Sequence, residues 1–162
     1  MSQNVTDTIV DFLGRIGIEV RSGLVSGDTP LPGIDVVDGA IVLDRDKLRF
    51  PGDLLHEAGH LAVLPAATRS APQSLESGGD EMASIAWSYA AALHLGLDPA
   101  IVFHEHGYRG DSPMILENFG QGRTFGVPLL AWYGLTREPR PTPVSALDDL
   151  PTYPVMLRWL RE

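Results

Sequence analysis

The residues with the clearest capacity for chemistry lie in the stretch 53–64, where His56, Glu57 and His60 form the pattern H-E-x-x-H. In a helix, residues four apart lie on the same face, so the two imidazoles can bind one zinc ion. Glu57 follows His56 directly, which would bring its carboxylate close to a water molecule activated by the metal. The pattern therefore indicates a zinc site with its own general base.

The residues around the motif favour a helix. Pro51 and Gly52 interrupt the preceding chain. Asp53 is a suitable N-cap, and Pro65 ends the apolar run. The leucines and alanines between them predict a largely buried helix, in which histidine and glutamate are costly without a partner such as a metal ion. Gly59 costs about 1 kcal/mol relative to alanine, which indicates that another backbone or a substrate passes close to it.

A third metal ligand is expected from the next helix. Residues 80–95 are rich in alanine, follow two glycines and end at Gly96, as a helix does. Glu81 lies in the first turn, about twenty residues after His60. A His-His-Glu set leaves the fourth position of zinc open for water, as a catalytic site requires. An acidic residue there could instead only interact favourably with the positive end of the helix dipole. Because Asp80 would do so equally well, Glu81 is the preferred ligand and Asp80 the preferred cap.

The motif helix followed by a helix that opens with a glutamate resembles the gluzincin branch of the zincin metallopeptidases. The resemblance covers roughly residues 35–95. It implies that zinc is bound by His56, His60 and Glu81, and that Glu57 activates the attacking water.

Two features depart from the known gluzincins. Several of these carry an acidic residue one turn after the glutamate ligand, which orients a histidine. Ile85 takes that place here, so Ser84, Ser88 or Asp80 would have to orient the histidine instead. The chain is also far shorter than the well-known peptidases, which implies that the usual substrate-binding subdomain is reduced or absent. The branch with the longer pattern H-E-x-x-H-x-x-G-x-x-H is excluded, because Pro65 breaks the continuation and no histidine follows in register.

A second polar cluster, His104–His106, lies at the end of a short helix predicted over 98–106. Either histidine could replace Glu81 as a ligand or donate a hydrogen bond to an oxyanion. Tyr108 and Arg109 could also stabilise an oxyanion, on weaker grounds. Because neighbouring residues of a helix point in different directions, the cluster as a whole cannot bind one metal. The plain alternative is a polar helix end, where cationic histidine is favourable.

The chain before the motif predicts a helix and a small sheet. Apolar residues at helical spacing predict a packing helix over 4–15. Alternation over 16–25 predicts a strand, and Asp38-Gly39 between the apolar runs 34–37 and 40–43 predicts a hairpin. The expected fold is α+β and zincin-like, with a small, mainly antiparallel sheet packed on the H-E-x-x-H helix and on a second helix that carries the third ligand.

The chain after the second helix completes one predicted zincin-like domain over 1–162. A loop is expected over 66–79 and a proline-rich extended segment over 136–152. Residues 153–162 are expected to form a C-terminal helix, whose apolar side chains return to the body or dock on a partner, so a homodimer is compatible with the sequence.

Composition limits the partners and the location. The 12 basic and 21 acidic residues give a net charge of −9, which opposes binding to nucleic acid or to anionic membranes. The chain has no cysteine, so a metal site must use histidine and carboxylate. The sequence shows neither a signal peptide nor a transmembrane run, and a cytoplasmic location is expected.

Together these features predict a zinc-dependent hydrolase, and among hydrolases they favour a peptidase that acts on a peptide or protein. One alternative is a zincin-fold metal-binding protein without peptidase activity, which acts as an interaction or regulatory module. The other is a domain without metal, in which His56, His60 and Glu81 form an ordinary polar cluster and the C-terminal helix is the functional surface of an interaction module.

Overall fold

The computed structural model describes residues 2–71, 78–139 and 150–162, and the fold in these ranges is α+β. The described residues form six α-helices and three strands. The helices are α1 (Ser2–Ile16), α2 (Asp53–Ala62), α3 (Ala66–Arg69), α4 (Gly78–His94), α5 (Ser112–Gly120) and α6 (Val127–Trp132), and the strands are β1 (Val20–Ser22), β2 (Ile34–Val37) and β3 (Ala40–Leu43). Short 3-10 turns at Pro99–Ile101 and Tyr108–Gly110 lie between α4 and α5. No helix in these ranges has both the length and the apolar character needed to cross a membrane.

The sheet is mixed rather than mainly antiparallel. Its order is β1-β3-β2, with β3 antiparallel to β2 and parallel to β1. The predicted hairpin is confirmed, and Asp38 and Gly39 have φ of 51° and 80°, as a two-residue type I′ turn requires. The strand predicted over 16–25 is present as the shorter β1, but it pairs in parallel because residues 23–33 carry the chain across to the far edge of the sheet. The chain then returns along β3 in the direction of β1.

Two predicted connections are described only in part. Of the proline-rich segment 136–152, residues 140–149 lie outside the described residues. The loop predicted over 66–79 contains α3, and its residues 72–77 also lie outside them.

Helices α2 and α4 pack closely at the centre of the core. A Cβ atom on Gly59 of α2 would lie 2.9 Å from the carbonyl oxygen of Ser84 and 2.9 Å from Oγ of Ser88, both on α4. Ser88 also donates a hydrogen bond to the carbonyl oxygen of Leu55 at 3.1 Å. The close approach predicted for Gly59 is therefore confirmed, and the passing element is the backbone of α4.

Residues 153–162 do not form the predicted helix. They run as turns across the body of the protein, and Trp159 packs edge-on against Trp87 with ring centroids 5.5 Å apart. The indole N–H of Trp87 donates to the carbonyl oxygen of Trp159 at 2.9 Å. The backbone N–H of Leu157 donates to the carbonyl oxygen of Leu135 at 2.8 Å. Because the backbone and side chains of this segment find partners on separate elements, a regular helix does not form.

Two arginines hold the C-terminal end of α2. The side chain of Arg69 donates to the carbonyl oxygen of Leu61 at 3.0 Å. Arg161 donates its backbone N–H to the carbonyl oxygen of Ala62 at 2.9 Å and its guanidinium to that of Val63 at 3.2 Å. These bonds satisfy carbonyl groups that a helix end leaves without partners, and cations suit that end of the helix dipole. The helix that carries the motif is thus anchored at its end by the C-terminal segment.

Candidate metal centre

Helices α2 and α4 bring His56, His60 and Glu81 together. The Nε2 atoms of His56 and His60 lie 3.1 Å apart, and Oε2 of Glu81 lies 3.4 Å from Nε2 of His60. One candidate ligand atom from each of the three residues lies within 4.8 Å of the other two. In the part of the chain that the structure describes, this group can hold a metal ion.

Two of the three separations between these atoms are close to those around a tetrahedral ion. Two ligands placed about 2.0–2.1 Å from one tetrahedral ion lie roughly 3.3–3.4 Å apart; the separations from His60 to His56 and to Glu81 are 3.1 and 3.4 Å, and all three ligand atoms lie within 4.8 Å of one another. The donor set is two imidazoles and one carboxylate. Such a set suits zinc as well as other divalent transition metals.

The motif occupies the side of α2 that is not fully buried. His56, Glu57 and His60 are half-buried, while the residues between and before them, such as Leu55 and Ala58, are fully buried. This division follows from helical periodicity, because the apolar residues face the core and leave one polar stripe. The motif side chains are therefore fixed by a packed helix and still reach the surface.

Tyr108 orients the first histidine of the motif. Its hydroxyl lies 2.7 Å from Nδ1 of His56. An imidazole that binds a metal through Nε2 carries its proton on Nδ1, so with a metal bound at Nε2 His56 would donate this hydrogen bond to Tyr108. Burial raises the pKa of Tyr108 well above its ordinary value. The nearby carboxylates of Glu81, Asp53 and Glu57 raise this pKa further, so the phenol stays protonated.

The residues that the sequence suggested for this orienting role have other partners. Ser84 and Ser88 donate to backbone carbonyl groups, and Asp80 accepts a hydrogen bond from the hydroxyl of Tyr133 at 3.1 Å. Asp80 is not the cap of α4 either, because the helix begins two residues earlier. The sequence indicated Tyr108 only as a possible oxyanion donor. Its bond to the motif joins residues 52 positions apart, which no local pattern reveals.

The second histidine cluster lies outside the metal group. His104 donates from Nε2 to Oδ1 of Asp53 at 2.7 Å, and its Nδ1 accepts the backbone N–H of His106 at 3.3 Å. Burial raises the pKa of the Asp53 carboxyl, and the hydrogen bond from His104 opposes this shift. Asp53 is the first residue of α2 rather than its cap, which is Gly52. Only glycine fits at the cap, since a Cβ atom there would lie 1.9 Å from the carbonyl oxygen of Ile101.

The loop that carries Tyr108 has a strained backbone. Tyr108 and Arg109 both have φ of 54°, and Gly110 follows with φ of 88°. A residue other than glycine in this left-handed region costs about 1–3 kcal/mol and persists only when its surroundings hold it there. The ring of Tyr108 packs against those of Phe103 and His56, with centroids 5.1 and 4.8 Å away. Strain of this kind concentrates at functional sites.

A cavity of about 460 Å³ adjoins the metal group. Its wall includes Glu81 and Tyr108, together with the apolar side chains of Ile85, Met114, Ile115 and Phe125 and the exposed Arg109 and Asp111. An apolar group of a bound molecule could therefore lie directly beside the metal group.

The chain was also compared with known proteins. No protein-family model, curated protein or solved structure matches it. Its function has to be inferred from the residues and geometry of the site itself.

Proposed function

We propose that this chain is a zinc-dependent hydrolase of the zincin type, with a peptide or protein as its substrate. The observation that carries the proposal is the His56, His60 and Glu81 group, whose ligand atoms lie within 4.8 Å of one another. Glu57 follows the first of these histidines on α2. These three side chains would hold the zinc and leave its fourth position open.

Each residue of the site has a separate role in the proposed reaction. Bound zinc would polarise the scissile carbonyl and lower the pKa of water to about 7. Glu57 accepts the proton of the attacking water and passes it to the nitrogen of the leaving amine. Tyr108 keeps the His56 ring in place through Nδ1. The apolar cavity beside Glu81 receives an apolar group of the substrate.

The role of Glu57 is tested with Glu57→Gln. Digestion of a mixed peptide library, followed by mass spectrometry with and without a chelator, measures metal-dependent hydrolysis. We expect the variant to keep its zinc and to lose hydrolysis by roughly 100-fold or more, because the general base is gone. Glu105→Gln is the matched control, since that side chain is 85% exposed and lies outside the site. Full hydrolysis by Glu57→Gln with zinc retained would show that this assignment is wrong.

The metal site is tested by elemental analysis of the purified protein and of Glu81→Ala. One zinc per chain in the parent protein, and much weaker binding in the variant, is the expected result. No metal after zinc is supplied would overturn the hydrolase mechanism. If the variant retains zinc with unchanged affinity, Glu81 is not the third ligand.

The position of the group between the two central helices also supports a second candidate function. An ion held by α2 and α4 would join the elements that form the middle of the core, and would therefore stabilise the fold. A metal-binding interaction module of this kind would show a melting temperature that depends on zinc and no hydrolysis of any peptide in the library. Metal-dependent cleavage would decide in favour of the hydrolase.

A further inference from the structure

We propose that Asp53 and His104 are positioning residues for the metal centre. They fasten the loop of residues 104–110 to α2 and thereby hold Tyr108 against His56. This inference rests on the proposed metal site. It gives a role to a buried hydrogen-bonded pair that the hydrolytic steps do not use.

Two hydrogen bonds tie the loop to the motif helix. Oδ1 of Asp53 accepts from Nε2 of His104 at 2.7 Å, and Nδ1 of His56 lies 2.7 Å from the hydroxyl of Tyr108. Asp53 and His56 are three residues apart on α2, so they lie on the same face of the helix. Their two partners belong to one loop. The loop is therefore attached at two neighbouring points, and one of these is a metal ligand.

The Asp53–His104 pair is itself rigidly placed. Asp53 is 3% exposed, and its Oδ2 is buried with no hydrogen-bond partner among the described residues. The carboxylate is therefore held through its bond to His104. The imidazole of His104 stacks on the ring of Phe50 with centroids 4.0 Å apart, and its second nitrogen accepts the N–H of His106. With both nitrogens engaged, this ring has one tautomer and one orientation.

The conformation of the loop explains why a second attachment is needed. Tyr108 and Arg109 are both in the left-handed region, and residues other than glycine leave it unless the surrounding structure holds them. If the loop relaxed, the hydroxyl of Tyr108 would move away from Nδ1 of His56. The bond between Asp53 and His104 lies next to this strained stretch and keeps it in place.

The test measures zinc affinity by competition with a chromophoric chelator, a readout that does not require turnover. We expect Asp53→Ala to weaken binding roughly 10- to 100-fold, the range found when the partners of metal ligands are removed. Glu105→Ala, on the same loop but with its side chain 85% exposed, should leave the affinity unchanged. Asp53→Asn keeps an oxygen acceptor for His104 and should restore most of the loss.

A double-variant comparison separates positioning from general stability. Tyr108→Phe alone should weaken zinc binding by a similar factor. In the Tyr108→Phe background, Asp53→Ala should cause no further loss of zinc affinity, because Asp53 acts on the site through the Tyr108 hydroxyl, which that variant lacks. A full additional loss in the Tyr108→Phe background would overturn the proposal. If Asp53→Ala does not fold, the Asp53→Ala, His104→Ala double variant removes the pair without leaving one partner buried alone.

A measurement on the metal-free protein keeps this inference distinct from the proposed function. The 15N chemical shifts of the His56 ring report which nitrogen carries the proton. The parent protein and Glu105→Ala should carry it mainly on Nδ1, while Asp53→Ala should show a mixture of tautomers. Identical shifts in all three would overturn the positioning role. Absence of zinc binding by the parent protein would overturn the proposed function instead, and the ring shifts would still decide whether the pair orients His56.

Discussion

Gly59→Ala tests whether the close contact between α2 and α4 sets the geometry of the metal group. The added Cβ atom would lie 2.9 Å from both the Ser84 carbonyl oxygen and Oγ of Ser88, and the helices must separate by about half an ångström to reach the ordinary contact distance of 3.4 Å. Glu81 lies one turn before Ser84 on α4. When the helices separate at Ser84, Glu81 would therefore also move away from His60.

The expected size of the effect follows from these distances. Overpacking of this kind costs about 1–3 kcal/mol, and replacing glycine by alanine within a helix returns about 1 kcal/mol. The free energy of unfolding should therefore fall by about 0–2 kcal/mol. The His60–Glu81 separation, now 3.4 Å, would exceed what one tetrahedral ion spans at ordinary bond lengths. We expect zinc affinity to fall roughly 10- to 100-fold, as it does when ligand geometry is disturbed.

Urea denaturation and chelator competition measure the two quantities. Gly14→Ala is the matched control, because position 14 lies in α1 and a Cβ atom there meets nothing within 4 Å. That control should gain about 0.4–1 kcal/mol of stability and leave zinc binding unchanged. If Gly59→Ala proved as stable as Gly14→Ala and bound zinc as tightly as the parent protein, the contact between the helices would not control the site.

Three further predictions concern other parts of the molecule. The backbone N–H of Val25 lowers the pKa of Asp44. This carboxylate therefore stabilises the fold above its unfolded pKa of about 3.9, and the stabilisation is lost as the pH falls through the lower folded-state pKa. Asp44→Asn should flatten the fall in urea midpoint on acidification, and an unchanged pH dependence would contradict this. Trp159→Ala removes the edge-on contact with Trp87 and should lower the free energy of unfolding by about 3 kcal/mol, whereas an unchanged melting temperature would speak against that anchoring role. His106→Ala should leave zinc affinity unaltered, because His106 lies outside the metal group; a tenfold loss would require a different ligand set.

Features encoded over a few residues were predictable from the sequence. The spacing within H-E-x-x-H, the Asp38-Gly39 turn and the presence of Gly59 in an apolar helix each indicate their structure directly, and the structure contains all three. The direction of β1 could not be predicted. It depends on the path of residues 23–33, which carry no periodic pattern.

The grouping of His56, His60 and Glu81 was also predictable from the sequence, because two of these candidate ligands lie one turn apart on α2 and the third lies in the first turn of the next long helix. The contacts that support these residues, made by His104 and Tyr108, were not predictable from the sequence. The partners of Asp53 and His56 lie 51 and 52 positions along the chain, so their pairing depends on tertiary structure. The C-terminal prediction was wrong for a related reason. Apolar residues near a chain end can also contact separate elements one at a time, as Trp159 does with Trp87.

The anchoring of α2 by Arg161 bears on when the protein can finish folding in the cell. The bond from Arg161 to the carbonyl oxygen of Val63 spans 98 positions. At synthesis rates of about 5–20 residues per second, the ribosome needs roughly 5–20 s to add the intervening chain. During that time the carbonyl groups of Ala62 and Val63 lack the bonds from Arg161 that they have in the folded protein. The proposed metal centre should therefore mature only after residue 161 has left the ribosome.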